Sequence, residues 1–89
     1  MSWERTKRLA LVDNVAQDTI VDDYELYIRA DANNAITVLL KMKPNDISDT
    51  VFGVIAAEIP AGQLWVASSR LVRGDLQVTG GNAYAVLRY

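Results

Sequence analysis

Cysteine and histidine are both absent from this chain. Without cysteine there is no disulfide framework and no thiolate nucleophile. Without histidine the usual general base near neutral pH is missing, and so is the commonest metal ligand. Zinc, haem and iron–sulfur chemistry lose most of their ligands at once. No cofactor is expected. A basic excess is missing too: nine Lys and Arg stand against eleven Asp and Glu, a net charge of −2. A generic nucleic-acid binder carries the opposite balance, so nucleic acid is not an expected partner. No apolar run approaches the ~18 residues a membrane-spanning helix needs. The first residues, MSWERTKRLALV, hold too short an apolar run for a secretory signal. The expected setting is the cytoplasm, or an assembly formed there.

What is present is apolar. Of 89 residues, 51% are hydrophobic, and the mean hydropathy is slightly positive. A chain of this size buries only about 60–65% of its unfolded surface, so its core is thin. Part of the apolar excess is expected to lie against a partner. That is the first indication of an assembly protein.

There is no Pro/Ser-rich linker, no low-complexity tract and no exact internal repeat. Residues 1–6 read as a flexible arm and residues 7–89 as one domain. Residues 24–30 alternate, with Tyr24, Leu26 and Ile28 on one face and Glu25, Tyr27 and Arg29 on the other. Asp31-Ala32-Asn33-Asn34 favours a turn. Residues 35–43 alternate again, which predicts a hairpin ended by Pro44. Residues 51–59 are apolar on both faces up to Glu58 and predict a buried strand, with a helical alternative open at Ala56-Ala57-Glu58. In Ile59-Pro60-Ala61-Gly62, Pro60 presets φ and Gly62 can take the positive φ of a type II turn. Strands follow over residues 64–72, 76–79 and 83–89, separated by Arg73-Gly74-Asp75 and by a hairpin-type Gly80-Gly81-Asn82 turn. Residues 7–13 add one more. About seven short antiparallel strands at close spacing predict an all-β domain, a small β-sandwich or barrel.

Asp22 and Asp23 are adjacent, so on a strand their carboxylates point to opposite faces and do not form a glycosidase-like pair. Asp31-Ala32-Asn33-Asn34 and Asn45-Asp46-Ile47-Ser48-Asp49 offer oxygens, but neither matches a calcium loop; Asx-type turns account for both. Gly80-Gly81 lacks the Lys and helix of a phosphate loop. No residue is placed as catalytic, and an enzyme is not expected. The candidates are for contact. Trp3, Arg5, Lys7 and Arg8 form a basic, aromatic start that could dock on an acidic protein partner; a frayed terminus is the alternative. Trp65 faces outward if Leu64 and Val66 face the core, and with Tyr27 it could anchor an interface or stack a sugar; burial of both strand faces is the alternative.

One family pattern is visible in the second half. Ile59-Pro60-Ala61-Gly62, a strand, then Gly74-Asp75-Leu76-Gln77-Val78, then Asn82-Ala83 and the strand Tyr84-Ala85-Val86-Leu87 resemble small β-sandwich structural proteins of tailed-bacteriophage virions. Asp23-Tyr24-Glu25-Leu26-Tyr27 and Ala35-Ile36-Thr37-Val38 sit where that pattern has its first core hairpin. The resemblance covers residues 19–89. It implies no catalytic residue. It implies a structural role: a capsid decoration or cement protein bound to viral coat proteins, or a neck or tail ring component, acting as a homo-oligomer with a trimer favoured by shell symmetry. A small glycan-binding module using Trp65 and Tyr27 is the reading from a different class.

Overall fold

The computed structural model describes residues 5–43 and 53–89. These form eight strands: β1 (Thr6–Leu11), β2 (Gln17–Asp18), β3 (Glu25–Ala30), β4 (Ile36–Met42), β5 (Gly53–Ile59), β6 (Leu64–Val66), β7 (Gly74–Thr79) and β8 (Ala83–Arg88). Two four-stranded antiparallel sheets result, in the orders β1-β8-β3-β6 and β2-β7-β4-β5. The protein is an all-β sandwich. Its pairings are nested: β1 with β8, β2 with β7, β3 with β6 and β4 with β5. A long hairpin rolled up so that alternate strand pairs fall into opposite sheets has this order, that of a jelly roll.

Each strand contributes one apolar stripe to the space between the sheets. Leu9, Leu11, Leu26, Ile28, Ala85 and Leu87 of the first sheet meet Ile36, Val38, Leu40, Leu76 and Val78 of the second, all buried. Burial of each large aliphatic contributes about 1.5–3 kcal/mol. The buried polar groups are paired. Thr19 Oγ1 accepts from the Gly74 N–H at 3.1 Å, and the Tyr24 hydroxyl donates to the Val72 carbonyl at 3.0 Å.

Several sequence expectations change in the fold. The predicted hairpin of residues 24–30 with 35–43 does not form, because β3 and β4 lie in different sheets. The Asp31-Ala32-Asn33-Asn34 turn is a crossover between sheets. Two strands with one apolar stripe each satisfy burial equally well side by side or face to face. Gly80-Gly81-Asn82 likewise carries the chain from β7 to β8 across the sandwich. The strand predicted over residues 51–59 is not buried but an edge: Val54 is 55% exposed, and residues 51 and 52 lie outside the described residues. Residues 64–72 hold only the short β6; after it the Ala67 N–H donates to the Leu26 carbonyl of β3 at 3.0 Å, and Leu71 bridges Tyr24 just before β3. Gly74 and Asp75 belong to β7 rather than a turn. β2 is an eighth strand that periodicity did not reveal, since two residues show none. Two residues predicted to lie in the arm join the sheet instead: Arg5 and Tyr89 exchange backbone hydrogen bonds at 2.6 and 2.8 Å, and Thr6 is in β1, while residues 1–4 lie outside the described residues.

The Ile59-Pro60-Ala61-Gly62 segment is the link from β5 in one sheet to β6 in the other. The Gln63 N–H donates to the Pro60 carbonyl at 3.1 Å, so Pro60 opens the turn and Gly62 is its third residue. Gly62 has φ +71°, the feature of type II turns. The Gly62 N–H donates to the Asp31 carbonyl at 2.8 Å, which docks this crossover against the one after β3.

Candidate interaction face

The outer face of the first sheet collects the side chains that alternate away from the core. From β1 these are Thr6, Arg8 and Ala10; from β8, Tyr84, Val86 and Arg88; from β3, Glu25, Tyr27 and Arg29; from β6, Leu64 and Val66. The ladder registers set them in rows. One row runs Arg8, Val86, Tyr27, Val66; the next runs Ala10, Tyr84, Arg29, Leu64. Tyr84 is 72% exposed, and Leu64 and Val66 are also exposed. Three arginines stand here against Glu25, on a chain whose net charge is −2.

Local contacts order part of this face. The Arg88 guanidinium lies over the Tyr27 ring, 5.8 Å from its centroid, and its Nη1 donates to the Tyr27 hydroxyl at 3.3 Å. Glu25 and Asp23 are approached by Arg70 at 4.0 and 2.7 Å, so the one acid of the face is drawn to its rim. Beside Tyr84 an open groove of about 410 Å³ runs between Arg29, Asp31 and Asn82.

The face has two tyrosines, three arginines and flat aliphatic surface between them. Tyr and Arg are the residue types most enriched at binding hot spots. Among the described residues the second sheet's outer face lacks aromatics: Asp75, Gln77 and Thr79 of β7 lie beside Thr37, Leu39 and Lys41 of β4. Among the described residues no cluster of acidic side chains is arranged to hold a metal ion. The Asp31 carboxylate accepts from the Asn33 N–H and Asn34 side-chain amide, both at 3.3 Å, as an Asx turn does. The Asn45–Asp49 stretch lies outside the described residues.

The six predicted contact residues separate. Arg8 and Tyr27 share the face and the same row. Lys7 alternates to the opposite side of β1, where its charge adds to the Arg73 hydrogen bonds that lower the Asp18 carboxyl. Arg5 is exposed at the end of the β1–β8 ladder. Trp3 lies outside the described residues. Trp65 is corrected: it packs against the core, while its neighbours Leu64 and Val66 are the exposed pair. The alternation was right and its phase reversed, because β6 is an edge whose one large ring fills the core margin. Sequence reasoning missed Arg29, Leu64, Val66, Tyr84, Val86 and Arg88. The Ala-Tyr-Ala-Val-Leu-Arg alternation of β8 was visible, but not that β8 sits between β1 and β3.

No protein-family model matches this chain, and neither the curated proteins nor the solved structures contain a significant match to it.

Proposed function

We propose that this chain is a bacteriophage virion structural protein, a capsid decoration or cement protein that binds across neighbouring coat subunits. The observation that carries the reading is the outer face of the first sheet, where Tyr27, Tyr84, Leu64 and Val66 lie among Arg8, Arg29 and Arg88. Its action is binding alone. A ligand that binds only the assembled shell stabilises that shell by mass action. The tyrosines and aliphatics supply buried area, and the arginines select an acidic patch on the shell. The jelly-roll order supports this reading by analogy, since viral capsid domains use it, as do lectins. The resemblance supports it through the Ile59–Gly62 turn and the closing strand β8, while the core hairpin and the Gly74-Asp75 turn it also drew on do not form.

The test is co-sedimentation of the purified chain with purified shells of the phage that encodes it. Binding is expected, with Arg29→Glu and Tyr84→Ala each weakening it at least about tenfold, as for hot-spot residues. Absence of the chain from purified virions by mass spectrometry would sink the reading. Because Arg5 to Arg8 run into the sheet, the arm is tested by deleting residues 1–4 only. A neck or tail ring is separated from a head protein by copy number per particle.

The groove beside Tyr84 favours one other reading, a glycan-binding module. Trp65 no longer serves as its platform; Tyr84 and the Asn82 amide take that place. Titration of a sugar panel followed by chemical shifts at Tyr84 tests it, and no shift dismisses it.

A further inference from the structure

The two sheets have four outer edges: β1 and β6 in the first, β2 and β5 in the second. An edge strand offers unpaired N–H and C=O groups to any passing strand, and proteins blunt such edges with short strands or with charge. β2 has two residues and β6 three. β1 has six but carries Lys7 and Arg8. β5 is guarded in neither way. It has seven residues, GVIAAEI, with one charge and no proline. Among the described residues its ladder is with β4 alone, so every second backbone group on β5 points away from the sheet.

We propose that β5 is where two copies of this chain join. They pair antiparallel, edge to edge, about a two-fold axis at Ala56, and the two β2-β7-β4-β5 sheets become one continuous sheet. This inference is independent of the viral reading.

The register follows from the residues. Centring on Ala56 engages all seven: Gly53 opposite Ile59, Val54 opposite Glu58, Ile55 opposite Ala57, and Ala56 opposite its own copy. An axis normal to the sheet keeps each side chain on its face, so the outward Val54, Ala56 and Glu58 meet outward partners. The residue at the axis is a methyl group, which fits the short separation there. The two Glu58 side chains fall four residues apart along the strands, about 14 Å. Moving the axis to Ala57 would bring Pro60 into the ladder, where it has no N–H to donate.

Charge supports the same register. Within one chain Glu58 lies beside Thr37, and Thr37 beside Thr79, so its row holds no cation. Lys41 lies beside Val54. Pairing sets Glu58 of one copy against Val54 of the other, with Lys41 one strand further in. Two strand spacings are about 9.6 Å, which a lysine and a glutamate side chain together span. The axis makes this contact twice. The interface is isologous and closes at two subunits rather than the trimer that shell symmetry suggests.

Light scattering of the full chain at two concentrations is expected to give twice its 9.8 kDa mass. Ala56→Lys sets like charges face to face at the axis and raises the dissociation constant at least about tenfold. Glu58→Lys weakens the dimer, and adding Lys41→Glu restores it; melting curves confirm that each variant is folded. Because the chain has no cysteine, Ala56→Cys reports directly. Its two thiols would face each other within disulfide range, so mild oxidation gives a covalent dimer, whereas Thr6→Cys on β1 gives none. A monomer at the higher concentration would overturn the proposal. So would a trimer, a dimer indifferent to Ala56→Lys, or equal cross-linking from both cysteine positions.

Discussion

Arg88 of β8 lays its guanidinium over the ring of Tyr27 on the neighbouring β3, 5.8 Å from the centroid. The two residues stand 61 positions apart in the chain. Their pairing turns a tyrosine and an arginine from separate strands into one preorganised surface element, because holding both side chains in place beforehand lowers the entropy cost of binding.

That pair has a measurable coupling. In a double-mutant cycle of Tyr27→Leu and Arg88→Met, urea unfolding is expected to give an interaction energy of about 0.5–1 kcal/mol, the range for an exposed cation–π contact. A coupling of zero would mean that the two side chains merely lie close.

Asp18 carries a pH dependence. Arg73 donates Nε and Nη2 to its two carboxylate oxygens at 3.1 and 2.9 Å. Hydrogen bonding from Arg73 holds the carboxyl below its ordinary 3.8, against a smaller opposing effect of burial. A carboxyl lowered on folding stabilises the fold above its unfolded pKa, and this contribution is lost as the pH falls through the folded value. Asp18→Asn therefore lowers the melting temperature near pH 7 and lowers it less near pH 3. An equal effect at both pH values would contradict the linkage.

Gly74 tolerates no side chain. A Cβ there would drive into the backbone of β4, at the Lys41 carbonyl and 2.8 Å from the Met42 Cα. Backbone in a ladder cannot step aside as a flexible side chain can. Gly74→Ala is expected to cost about 3 kcal/mol, the upper part of the overpacking range, read as a fall in the urea midpoint. Gly62 responds differently. Its Cβ would meet nothing closer than the Ala32 Cα at 3.7 Å, so its constraint is the positive φ alone, and Gly62→Asn should be tolerated better than Gly62→Val.

Ile20 holds a strained backbone. It has φ +64° and is 60% exposed, while its N–H donates to Asp18 Oδ1 at 2.8 Å. A left-handed conformation costs an L-residue about 1–2 kcal/mol, and asparagine bears it better than a β-branched residue. Ile20→Asn is expected to raise stability by about 1 kcal/mol in urea unfolding. A loss of stability would show that the exposed side chain contributes more than the backbone strain removes.

Strand content was legible because it rests on neighbours in sequence. Alternation placed Leu26 and Ile28 inside and Tyr27 outside, and Pro60 and Gly62 marked a turn. Of the interaction face, Arg8 and Tyr27 were therefore readable one strand at a time. Its assembly was not. Arg8, Val86, Tyr27 and Val66 form one row only because β8 lies between β1 and β3, and β6 beyond β3.

The amino-acid sequence by itself determined an all-β domain, the Pro60–Gly62 turn and the alternating faces of residues 24–30 and 36–42, since a period of two is a local property. The tertiary structure alone decided which strands share a sheet, that Trp65 points inward, and that among the described residues β5 ends a sheet with its outer edge open. Burial of an apolar stripe is satisfied by a hairpin neighbour or by a strand across the sandwich. The choice between them depends on how all eight strands fill one core together.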